Sequence, residues 1–133
     1  MNSKPYAVAN KPYATFYFFL ICVILFFSVD ATSLIIPPVV FVETPSLLNL
    51  GKLFLANFLH ANFSHLFGNM FVLIAVGYYV EKKIGTVKML GLMLVSLFLA
   101  DAMQFGYNPL SPSAALGASG VISGIAAYFC IRQ

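Results

Sequence analysis

The chain has 133 residues, 61% of them hydrophobic and only 8% charged, with a mean hydropathy of +0.93 and a net charge of +3. That balance excludes an ordinary soluble domain and points to a polytopic membrane protein. The seven Lys and Arg residues flank apolar runs instead of forming one basic face, so they read as membrane orientation and not as a nucleic-acid surface.

Residues 1–13 form a polar tail with Lys4 and Lys11, expected on the cytoplasmic side. Residues 14–29 are almost wholly aromatic and aliphatic and predict a first membrane helix, somewhat short against the roughly 20 residues needed to cross. A secretory signal peptide is the alternative, because basic residues precede the run and Val29-Asp30-Ala31 resembles a small-residue cleavage site. Residues 32–52 carry Pro37, Pro38, Pro45 and Gly51 among apolar side chains. That mixture breaks a spanning helix and predicts a loop dipping into the interface. A short helix over 53–59 follows, then a second span over 66–80 closed by Glu81-Lys82-Lys83. The third span, 87–107, carries Asp101 and Gln104 toward its far end, where an interface gives them some water. Residues 108–112 are a turn, and the fourth span is predicted over 113–131. The expected fold class is all-α: a single domain over 1–133 with four transmembrane helices and an interfacial loop bearing a short helix.

Short cytoplasmic loops hold an excess of Lys and Arg. Lys4 and Lys11 lie in the tail, Lys82, Lys83 and Lys88 follow the second span, and Arg132 follows the fourth. The first loop has Lys52 beside Asp30 and Glu43, and the third has neither Lys nor Arg. The alternation predicts both termini inside and four crossings. Cys22 and Cys130 lie in apolar runs without metal-ligand spacing and read as small packing residues.

Chemistry concentrates in two places. His65 and Asn69 are four residues apart, so on a helix they share one face, and both can donate hydrogen bonds to an oxyanion. Hydrogen bonding between helices is the structural alternative for the pair. His60 lies before the span, beside Asn57, Asn62 and Ser64, and is expected to fix the loop. Ser119 is flanked by Gly117 and Gly120 and is expected about six residues into the fourth helix, roughly 10 Å along its axis. The glycines are expected to leave room for a substrate backbone. Ser113, Gly117, Gly120, Gly124 and Ala127 form a small-residue stripe on which a neighbouring helix would pack closely. The alternative for Ser119 is a packing helix in which the hydroxyl bonds back to its own backbone. The soluble elbow Gly-x-Ser-x-Gly is not matched, because Gly120 follows the serine directly.

Over about 53–132 the chain resembles the rhomboid intramembrane serine proteases. The family's His-x4-His-x3-Asn signature is met by His60, His65 and Asn69, and its Gly-x-Ser-Gly signature by Gly117, Ser119 and Gly120. The resemblance implies Ser119 as nucleophile, with its own N–H in the oxyanion hole beside His65 and Asn69. It gives His60 a supporting role and makes Gly117 and Gly120 the frame of the serine. Implied partners are the lipid bilayer and the transmembrane segments of membrane-protein substrates, in a plasma membrane by default, with no metal or organic cofactor. Two departures stand out. The family's first loop often carries a Trp-Arg pair, whereas this chain has no Trp and offers Gly51-Lys52. The family's core has six helices with the general-base histidine on the sixth, whereas four spans and two histidines are found here. A serine hydroxyl without a positioned base is a poor nucleophile. The expectation is therefore a truncated or fragmentary chain, inactive by itself unless a separate chain supplies the missing helices to the exposed side of the fourth span. Two rival readings are a noncatalytic rhomboid-like protein that binds or escorts membrane helices, and an enzyme in which His65 itself is the base.

Overall fold

The computed structural model describes residues 11–35, 37–111 and 116–132, and every regular element among them is helical. The tail up to residue 10 and Ser113, where the fourth span is expected to begin, lie outside the described residues.

Helix α1 runs Tyr13–Ser28 and buries Ala14, Phe18 and Cys22 at four-residue spacing, while Phe16, Tyr17, Ile24 and Phe27 face outward. Its first-turn N–H groups need acceptors. The Glu81 carboxylate, fully buried, accepts from Ala14 N at 2.8 Å and Thr15 N at 2.7 Å, and also from the Thr86 hydroxyl at 2.8 Å. Glu81 therefore does more than close a span. It is a remote cap on the positive end of α1.

The stretch read as an interfacial loop holds three short helices, α2 (Ala31–Leu34), α3 (Pro38–Glu43) and α4 (Leu47–Ala56). Proline breaks a helix interior but suits a helix start, and both proline sites are used that way. Pro37 and Pro38 open α3. Pro45 precedes Ser46, whose hydroxyl accepts from Asn49 N at 3.1 Å and caps α4. The short helix expected over 53–59 accordingly starts and ends earlier.

The second span is a continuous helix, Phe63–Ile84, made of α5 (Phe63–Val72), a π-helical turn (Leu73–Gly77) and α6 (Tyr78–Ile84). It starts before residue 66 because Asn62 caps it, accepting from His65 N at 2.9 Å. It ends where Gly85 adopts φ 84°. Helix α7 is Thr86–Tyr107 and α8 is Ser119–Ile131. Phe63–Ile84 and α7, with 22 residues each, are long and apolar enough to cross a membrane.

Met89, Met93 and Leu97 of α7 join Val121, Ile122 and Ile125 of α8 in one buried cluster with Leu66, Met70 and Leu73. Gly124 faces Ser96 and Gly120 faces Ala100 so closely that neither position has room for a Cβ. The close approach of a neighbouring helix expected along the small-residue stripe is thus made by α7 at these two glycines. Much of the outer surface is apolar, with Phe63, Phe67 and Phe71 stacked along α5 and Leu90, Leu94, Phe98 and Leu99 exposed along α7. Such a surface is suited to lipid.

Candidate active site

The site forms where the end of α4, the start of α5, the far half of α7 and the start of α8 meet. His60, 3% exposed, is its most buried polar side chain and sits in the loop before α5. Nδ1 lies 3.2 Å from the Phe58 carbonyl, which only accepts, so Nδ1 carries the proton and Nε2 is an acceptor. The Asn69 carboxamide, 3.0 Å away, donates to that Nε2, and Ala118 N–H approaches it at 3.5 Å. Burial, then the neighbouring His65, pushes the His60 pKa down to about 4 against a smaller upward pull from the Phe58 carbonyl. The ring is neutral at neutral pH and fixes one Asn69 N–H, leaving the other free to donate.

His65 and Asn69 lie one turn apart on α5 and converge on Gly117. A Cβ there would lie 2.7 Å from His65 Cε1, 2.8 Å from Nε2 and 3.2 Å from Asn69 Nδ2, and φ is +104°. Only glycine meets both demands. Gly117 N–H in turn donates to the Ala56 carbonyl at 3.0 Å.

Ser119 follows two residues later and is exposed at the first position of α8. The expectation that it sits six residues inside a helix is corrected: Leu116, Gly117 and Ala118 are not helical, because positive φ at Gly117 turns the chain first. Depth along α8 is therefore nil, and the serine's level is set against α7 instead. Gly120 packs on Ala100, seven residues before the end of α7 and so roughly 10 Å below it. Opening the helix also aims its first-turn N–H groups and positive dipole end at the serine's surroundings; the earliest backbone bond is Ile122 N to Ala118 O, at 2.9 Å.

Ser119, Gly117 and Gly120 line a cavity of about 180 Å³ with Asn57, Asp101 and Gln104. Asn57 Nδ2 donates to the Asp101 carboxyl, at 3.2 and 3.4 Å from its two oxygens. From the sequence, Asp101 and Gln104 fall near an interface and Asn57 has no role of its own. The available signal was a carboxyl inside a 22-residue apolar helix, which marks a functional neighbourhood.

His60, His65, Asn69 and Gly117 thus form one contact group, with Ser119 immediately beyond it at the polar cavity. Gly120 belongs to the α7 contact. Both glycines pack closely, Gly117 on His65 and Asn69 and Gly120 on Ala100, and both also line the cavity beside Ser119. Among the described residues, no three His, Cys, Asp or Glu side chains gather as metal ligands.

The family model described as "Rhomboid domain" matches residues 48–133. Among curated proteins the chain is similar to Rhomboid-like protease 1 of Toxoplasma gondii, at 36% identity over 74 residues, covering 53% of this chain and 25% of that protein. The chain thus spans about a quarter of the length of the relative it matches. No solved structure shows a significant match.

Proposed function

The chain belongs to the rhomboid family, and on that premise we propose that it carries the nucleophile and oxyanion donors of an intramembrane serine endopeptidase. The observation that carries the reading is the convergence of His65 and Asn69 on Gly117, two residues before a serine that opens a helix.

A substrate membrane helix unwinds beside the start of α8 and offers a peptide carbonyl to Ser119 Oγ. Attack places negative charge on the carbonyl oxygen. The Ser119 N–H, His65, the free Asn69 N–H and the positive end of α8 stabilise that charge. Collapse of this adduct breaks the C–N bond and releases the amine, which takes the proton removed from Ser119, and water reaching the cavity then hydrolyses the acyl-enzyme. His60 is not the base, because both its ring nitrogens are engaged. By the family resemblance the proton acceptor is a histidine on a later helix, supplied in the same chain or by a separate one. The bilayer is the medium, and substrates are transmembrane segments.

The test is to express the chain together with two further apolar helices bearing a histidine and to assay cleavage of a transmembrane reporter. Cleavage is expected, and Ser119→Ala should lower its rate by about a thousandfold or more. Persistent inactivity, with client helices still bound equally by the parent and Ser119→Ala, would overturn the protease reading in favour of a noncatalytic helix-binding protein.

A further inference from the structure

The geometry points to Asp101 as a positioning residue for Ser119, acting through Asn57 and the Ala56 carbonyl on the turn at Gly117. Its consequence for catalysis rests on the proposed role of Ser119; the structural tie itself does not.

Helix α4 is weakly embedded. Ala56 is its one buried residue, and Leu47, Leu48, Leu50 and Phe54 are exposed. Yet the Ala56 carbonyl receives Gly117 N–H at 3.0 Å, so the end of this loose helix fixes the turn that presents Ser119. Something must hold that end in place. Asn57, 6% exposed, is the next residue, and its amide lies 3.3 Å from Leu53 O and 3.4 Å from Phe54 O within its own helix. Its partner from another helix is the Asp101 carboxyl, 44 residues away. The chain of bonds runs from α7 through Asn57 and Ala56 to Gly117, whose other side rests on His65 and Asn69. Releasing Asp101 frees the α4 end, and the turn before Ser119 loses its anchor on that side.

The test uses the full chain in detergent micelles and residue-resolved amide exchange, comparing Gly117 with Ala14 and Thr15, whose amides Glu81 holds at the opposite end. Asp101→Leu is expected to accelerate Gly117 exchange about tenfold, the scale of a lost hydrogen bond to a charged group, and to leave Ala14 and Thr15 unchanged. Asp101→Asn keeps an oxygen acceptor and should restore near-parental protection. Unchanged Gly117 exchange in Asp101→Leu, equal acceleration at both ends, or an Asp101→Asn variant as fast as Asp101→Leu would each overturn the proposal. Fluorophosphonate labelling of Ser119, measured with the histidine-bearing helices present, separates this from the protease reading. The labelling rate should fall in Asp101→Leu and recover in Asp101→Asn. Were Asp101 a proton acceptor, Asn would not rescue. If the parent is not labelled at all while Gly117 exchange responds as expected, the nucleophile reading fails and the tie stands.

Discussion

At the residue scale, Gly117 is the most demanding position in the site. Gly117→Ala would force a Cβ to within 2.7 Å of His65 and hold alanine at φ +104°. Left-handed strain and overpacking together should cost about 2–5 kcal/mol, measurable as a lowered unfolding midpoint in detergent. His60 makes stability depend on pH. Its folded pKa, about 4, lies below the ordinary 6.5, so the unfolded chain takes up a proton in that window while the folded chain does not. This contribution is complete above about pH 6.5 and is lost as pH falls toward 4. Protonation would also turn Nε2 into a donor facing the Asn69 amide. Denaturation midpoints measured across that range should decline with acid, and His60→Gln should flatten the decline. The histidine–asparagine group was legible in the sequence because a four-residue spacing on a helix fixes a common face whatever the tertiary structure. The Asn57–Asp101 bond was not, since nothing local relates two residues 44 apart.

At the scale of elements, Glu81 and the α7–α8 contact invite separate tests. Glu81 accepts from three donors while fully buried, so Glu81→Ala should destabilise by about 3 kcal/mol, and Glu81→Gln, which keeps one acceptor, by less. Gly124→Ala would drive its new methyl into Ser96, costing about 1–3 kcal/mol; Ser96→Gly in the same chain should recover much of that, a non-additivity readable in a double-mutant cycle. Helix α7 was readable end to end, because a long apolar run between Gly85 and Asn108 admits one solution. Residues 32–52 were harder to read, because proline signals a break and a start equally well, and only the capping and packing of the next few residues decide between them. The late start of α8 was hidden for a related reason: composition reveals that a segment is apolar but not where a glycine turns it.

Taken whole, the molecule is polarised from end to end. Glu81 brings the start of α1 to the junction of α6 and α7, and the pairing of Gly120 with Ala100 and Gly124 with Ser96 makes α8 antiparallel to α7. Lys11, Lys82, Lys83, Lys88 and Arg132 therefore gather at one end, and Asn57, Asp101 and Ser119 lie toward the other. By the positive-inside rule the basic end should be cytoplasmic. In a cysteine-free background, Lys88→Cys should then react with an impermeant thiol reagent only in inverted vesicles and Asn108→Cys only in intact cells. The reverse pattern would invalidate the orientation.

The π-helical turn at Leu73–Gly77 sets what this architecture can tolerate in chain length. Twelve residues separate Asn69 from Glu81. On an uninterrupted α-helix they would lie about 120° apart around the axis, but a turn that absorbs one surplus residue cuts the offset to about 20°. One helix can thereby meet the turn at Gly117 at one end and cap α1 at the other. Shortening the chain by one residue within 73–77 should convert the bulge to ordinary helix with both duties intact, whereas the same deletion between Tyr78 and Glu81 should swing the cap away from its target.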